Sequence, residues 1–231
     1  MHTKIEASQN MARTTSNTIQ TWRENWNTIL YDLSKWMLHE DDNLEIVYNT
    51  EVFFYDLLQD IIGKAKTKDK WEFYKYKEHN PYYISIRARS EKIGVEFSLG
   101  IYIHEFTFDV NIARSNRIRF MDDTFWEHFI NLENCGVFEF SETTSLFYND
   151  KYTGHREIFQ KSKSNIFTVI RNHVLFEYLH GGCVDFGELS VKWPINIEPN
   201  DFFSKACKTF KLMYQINYLL YRNEYLSQRN R

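Results

Sequence analysis

From Ile19 onward, apolar residues recur at three- and four-residue spacing, at Trp22, Trp26, Ile29, Leu30, Leu33 and Met37. That stripe predicts an amphipathic helix beginning near Thr18 and ending near Glu40. A second stripe, Val52, Phe53, Leu57, Leu58, Ile61 and Ile62, predicts another helix. Asn49 or Thr50 would cap it, and Gly63 suits a left-handed exit. Residues 1–17 are polar and carry no period, so they read as a flexible leader.

After the polar connector Lys64 to Lys70 the period changes from helical to two. Trp71 to Lys77 reads as a strand and Asn80-Pro81 as a turn. Tyr82, Ile84, Ile86 and Ala88 then alternate with Tyr83, Ser85, Arg87 and Arg89, the pattern of a half-buried strand. Val95, Phe97, Leu99, Ile101 and Ile103 occupy odd positions, whereas Phe106, Phe108, Val110 and Ile112 occupy even ones. A one-residue slip swaps faces, so a β-bulge near His104-Glu105 or a tight turn near Gly100 is expected.

Further along, Asp122 or Asp123 caps a short helix through Phe125, Trp126, Phe129, Ile130 and Leu132, ended by Asn134 to Gly136. Val137 to Phe140 and Leu146 to Tyr148 read as short strands, and Ser164 to Leu179 as a helix stopped by Gly181-Gly182. A last strand runs from Phe186 to Trp193. Asp201 opens a long final helix through Phe203, Ala206, Phe210, Met213, Leu220 and Tyr225. Its apolar face is wide enough to be buried on several sides or to admit a second protein, a second copy of the chain included.

Helices and strands come in runs and not in βαβ alternation. The fold class is therefore α+β: a central antiparallel or mixed sheet with two N-terminal helices, a middle helix pair and a long C-terminal helix. With eight Gly and three Pro there is little material for a linker, so residues 18–231 read as one domain; a boundary, if present, would fall near residues 149–155. Aromatic residues make up 17% of the chain, more than a core requires, which places some Tyr and Trp at a surface or interface.

The net charge of −3 argues against general attraction to nucleic acid or to membrane surfaces. Cys135, Cys183 and Cys207 are odd in number and far apart, which fits reduced thiols in a reducing compartment. No signal-peptide core or membrane-length apolar run is present, so the cytoplasm is the simplest placement.

Candidate chemistry is sparse. His173, Glu177 and His180 share one face of a helix at spacings that suit zinc or iron, but no further ligand is in sight, and a polar face with incidental histidines is the plainer reading. The Arg-to-His spacing of the RNA-cleaving HEPN domains is not met, because eight residues separate Arg171 from His180. On the central strands Glu96, Ser98, His104, Glu105, Thr107 and Asp109 form a polar face that could carry Mg²⁺, but the Asp/Glu-x-Lys triplet of a nuclease core is lacking, and a solvated sheet face is expected. Arg87, Arg89, Arg114, Arg117 and Arg119 could meet phosphates, with nearby aromatic rings stacking bases. Acidic residues are as dense around them, which favours a mixed solvated surface. Cys135 and Cys207 read as packing residues. No Walker, dinucleotide or Gly-x-Ser-x-Gly pattern occurs, so no cofactor is called for and the chain leans away from an enzyme.

Two readings of different class remain: a protein-binding inhibitor, and a metal-dependent, nuclease-like enzyme with an unrecognised site. The first is preferred, since acidic clusters suit a basic partner and abundant Tyr and Trp suit an interface. The stretches Asp122-Asp123-Thr124-Phe125-Trp126 and Glu139-Phe140-Ser141-Glu142, with the size and the single α+β domain, give the chain an overall character that resembles the small cytosolic immunity proteins of bacterial contact-dependent and polymorphic toxin systems. The resemblance implies one-to-one binding to a toxin domain, often a basic nuclease, by occluding its active site or substrate surface. Asp122, Asp123, Trp126, Glu139 and Glu142 are the residues expected to line that interface.

Overall fold

The computed structural model describes residues 18–37, 44–75, 83–102, 104–141 and 187–229. The expected leader over residues 1–17, the strand at Leu146 to Tyr148, the helix from Ser164 to Leu179 with its His173, Glu177 and His180 face, Glu142 and Cys183 lie outside these residues.

In chain order come α1 (Thr18–Met37), α2 (Leu44–Ala65), β1 (Trp71–Lys75), β2 (Tyr83–Ser90), β3 (Glu96–Tyr102) and β4 (Glu105–Asn111). A 3₁₀ segment (Ser115–Phe120), α3 (Asp123–Leu132), β5 (Val137–Ser141), β6 (Glu188–Pro194) and α4 (Pro199–Arg229) follow. The strands form one antiparallel six-stranded sheet in the order β1-β2-β3-β4-β6-β5. Of the two open alternatives the sheet is antiparallel, and the α+β class with its long C-terminal helix is as expected. The chain falls into two compact units, Met1–Phe108 with Trp193–Phe210, and Asp109–Lys192 with Lys211–Arg231.

In the first unit the register of β2 and β3 pairs Ile84 with Ile101, Ile86 with Leu99 and Ala88 with Phe97, all six buried. The apolar stripe of α1 buries Trp22, Trp26 and Leu33, and α2 buries Phe53, Phe54, Leu57, Leu58, Ile61 and Ile62. Trp26 is the hub of an aromatic cluster, with ring centroids 5.6 Å from Phe53, 5.1 Å from Phe106 and 5.3 Å from Phe202. Each such side chain withdrawn from water contributes roughly 1.5–3 kcal/mol of transfer free energy, so this cluster is a main source of the unit's stability.

Three boundaries differ from the sequence expectation. Helix α2 starts at Leu44, so neither Asn49 nor Thr50 is a cap. Thr50 is a buried helical residue whose hydroxyl donates to the Ile46 carbonyl at 2.8 Å, a bond that satisfies the oxygen inside a helix. The same helix runs through Gly63 to Ala65, and the left-handed residue that follows is Lys66, at φ 53°. Gly63 stays helical because its missing side chain costs a helix only about 1 kcal/mol. Helix α4 begins at Pro199 and not at Asp201, with proline's fixed φ suiting the first turn.

The phase slip is resolved by a chain reversal between Tyr102 and Glu105. Where a strand turns back through a connection of an even number of residues, odd positions before it and even positions after it share a face. Phe97, Leu99 and Ile101 are therefore buried together with Phe106 and Phe108. Gly100 is not at the turn; it lies mid-strand opposite Ser85.

In the second unit β5 and β6 pair Phe138 with Val191 and Glu139 with Ser190. Arg114, in the left-handed conformation at φ 60°, opens the 3₁₀ segment. Asn217 of α4 is wholly buried, yet its amide is satisfied: Oδ1 accepts the Ala113 N–H at 3.1 Å and Nδ2 donates to the Met213 carbonyl at 3.3 Å. That pair of bonds fixes the chain before the 3₁₀ segment to α4.

Candidate partner-binding surface

Asp122 ends an extended stretch, and its Oδ1 accepts the Phe125 N–H at 3.3 Å, capping α3. The cap sets the helix phase. Phe125, Phe129 and Leu132 are buried, which leaves the opposite side outward. Asp123, Glu127 and Ile130, at spacings of four and three, lie along that outer side, and Glu133 follows just past its end. All four are exposed, Ile130 at 51%. Trp126 is half-buried, its indole packed 5.1 Å from Phe125 and 5.7 Å from Phe129, so part of the ring is offered to solvent.

Among the described residues, Asp123, Glu127 and Glu133 make no ion pair. His128, half-buried beneath them, has its pKa lowered by burial, against the opposing pull of Glu127 and Asp122. It is therefore held towards its neutral form, and the field outside α3 is set by the carboxylates.

Of the residues singled out from the sequence, Asp122, Asp123 and Trp126 thus come together on one helix. Glu139 sits on β5, exposed, and pairs with Lys192 of β6 at 2.5 Å, so its charge is already met. Glu142 lies outside the described residues. Glu127 is absent from the sequence expectation and Ile130 enters it only as an apolar position of the helix, although their spacing from Asp123 is readable once α3 is placed.

The other constellations do not assemble a catalytic centre among the described residues. The polar side of the central strands is not a solvated face: Ser98, Thr107 and Asp109 are buried, while His104 and Glu105 are exposed at the turn. Glu96 is engaged by Arg87 at 3.4 Å, and both act on Tyr74, whose hydroxyl pKa is raised chiefly by burial, then by Glu96, and opposed by Arg87. Asp109 accepts the Ser190 hydroxyl at 2.6 Å. Cys135 and Cys207 are buried thiols outside any disulfide, as expected of packing residues. Among the described residues no group of His, Cys, Asp and Glu is placed to hold a metal ion, and no helix is long and apolar enough to cross a membrane. A shallow notch between Thr67 and Lys92 is a structural turn, since Asp69 accepts the backbone N–H groups of Lys70 and Lys92 and the hydroxyl of Ser90.

Comparison with protein-family models, with curated proteins and with solved structures finds no match to this chain.

Proposed function

We propose that the chain is a protein-binding inhibitor that seats the outer side of α3 on a basic surface of another protein, in the manner of an immunity protein occluding a toxin's active site or substrate surface. The observation that carries this reading is the set of carboxylates of Asp123, Glu127 and Glu133, which make no ion pair among the described residues, around the exposed Ile130 and the half-buried Trp126. Carboxylates without internal partners steer a cationic surface at long range, while an apolar anchor supplies the desolvated centre of a contact. Asp122 contributes its charge at the same helix end while capping the helix. Glu139, already paired, is expected at the rim.

The test is a comparison of two baits in a lysate of the native host, the wild-type chain and the Asp123→Lys/Glu127→Lys variant. A basic protein held by the first and lost by the second, with association slowing about tenfold or more in the variant at low salt, is the expected result. If that protein is toxic when expressed alone and harmless when expressed with the wild-type chain, the inhibitor reading stands. Equal retention and equal rates for both baits remove α3 from the interface.

A further inference from the structure

Within the second unit, a different surface is built from arginine and aromatic side chains. From Asn111 to Met121 the chain carries Arg114, Arg117 and Arg119 and no acidic residue. Arg114 anchors this stretch on α4, its Nε 2.6 Å from Glu224 Oε2 and its guanidinium 5.4 Å from the Tyr221 ring centre. Phe120, 53% exposed, lies within 4.8 Å of the Arg119 guanidinium and 6.0 Å of that of Arg117. Along α4, Tyr221 and Tyr225 stack at 6.2 Å, Tyr225 is 47% exposed with Arg229 5.7 Å from its ring, and Arg222 is exposed.

Arg117 is the residue that this packing leaves unexplained. Its Nε is shut off from solvent without a hydrogen-bond partner, and no carboxylate pairs with it among the described residues. Arg114 three residues earlier found Glu224. A guanidinium that meets no carboxylate among the described residues is one that an anion can pair through its terminal nitrogens, the Nε itself being closed to any ligand from solvent. Beside it, a large ring stands in water with a second guanidinium over it. An anion attached to a planar ring satisfies both features, because phosphate suits the guanidinium fork and a base suits the ring face.

We propose that this face binds single-stranded nucleic acid, with phosphates at Arg117 and Arg119 and an unpaired base on Phe120. A duplex keeps its bases stacked internally and would leave Phe120 uncovered. An acidic peptide would meet the arginines and leave the rings in water. The surface works beside a net charge of −3, so binding depends on local contacts and falls as salt rises.

The experiment uses the full chain and fluorescence anisotropy with labelled oligo(U), labelled oligo(dT), a blunt duplex of equal length and polyglutamate. Expected is binding of one or both single strands, the two arms telling RNA from DNA, with duplex and polyglutamate at least about tenfold weaker. Phe120→Ala weakens binding about tenfold and leaves the salt slope unchanged, since an exposed ring carries stacking and no charge. Arg117→Gln weakens it similarly and lowers the salt slope by about 0.7, the share of one phosphate contact on a single strand. Melting curves of both variants establish that they fold, and Arg119→Gln, altering an exposed side chain, repeats the charge test if Arg117→Gln does not. Failure to bind either single strand, equal binding of duplex or polyglutamate, or variants that bind as the wild type does would each overturn the proposal.

Discussion

The indole N–H of Trp22 donates to Asp60 Oδ2 at 2.7 Å and so ties α1 to α2. The Trp22 ring is buried and Asp60 is half-buried, so the bond is partly shielded from competing water. Asp60→Ala leaves that N–H without an acceptor and should lower unfolding free energy by about 1–3 kcal/mol in urea titration. Trp22→Phe removes the donor together with part of a packed ring, at about 1–3 kcal/mol. In the double variant the losses should fall short of additivity by about 1 kcal/mol or more. Strict additivity would mean that the bond contributes nothing.

Two glycines separate space from conformation. A Cβ at Gly100 would lie 2.4 Å from the Ile84 carbonyl oxygen and 2.6 Å from Ser85 Cβ, neighbours that cannot move without shifting β2. Gly100→Ala should therefore lose about 1–3 kcal/mol, as overpacked interiors do. At Gly63 a Cβ meets nothing within 4 Å, and the residue is helical. Gly63→Ala should gain about 0.5–1 kcal/mol by narrowing the unfolded ensemble and favouring the helix. Thermal melts of the two variants should move in opposite directions; a rise for Gly100→Ala would contradict the placement of β2 against β3, and a fall for Gly63→Ala the open helical site.

What was readable in advance follows from the range of the interaction involved. The stripe of Trp22, Trp26 and Leu33 and the odd-to-even phase change around Tyr102 and Glu105 are local periodicities, and both became structure. A cap at Asp122 or Asp123 is readable for the same reason, and with it the placing of Asp122, Asp123 and Trp126 at one helix; the structure selects Asp122. Thr50 was misread because a threonine that caps and one that bonds back to the preceding turn look alike in sequence. Alternation marks Ser98, Thr107 and Asp109 as one polar side of the strands but says nothing about what covers that side. Charge pairing is the least local property of all. Arg114 meets Glu224, 110 residues away, and Glu139 meets Lys192 on the neighbouring strand, whereas Arg117 and Asp123 meet no ion-pair partner among the described residues. Nothing in the spacing separates these cases.

The buried thiols give a direct check on packing. Cys135 and Cys207 are both shielded, and Cys135 Sγ is engaged with the Asn131 carbonyl. In a Cys183→Ser background, an aromatic disulfide reagent should modify neither thiol in the native protein and both after denaturation, because attack requires an accessible thiolate. Prompt native modification of either one would contradict its burial.

His128 couples the same helix to pH. Burial lowers its pKa below the ordinary 6.5, while the charges of Glu127 and Asp122 act to raise it, and burial prevails. A histidine with a folded pKa below its unfolded value binds its proton more readily in the unfolded chain. The stability contribution is thus present above about pH 6.5 and is lost as pH falls through the depressed folded value. Wild type should lose stability more steeply than His128→Gln between about pH 7.5 and about pH 5.5 in urea titrations at each pH. Glu127→Gln removes one of the two influences that raise the pKa, so the loss should become larger and its window should extend to lower pH. Parallel pH profiles for wild type and His128→Gln would mean that the imidazole is solvated. The helix face would then lack the half-buried neutral histidine beneath its carboxylates.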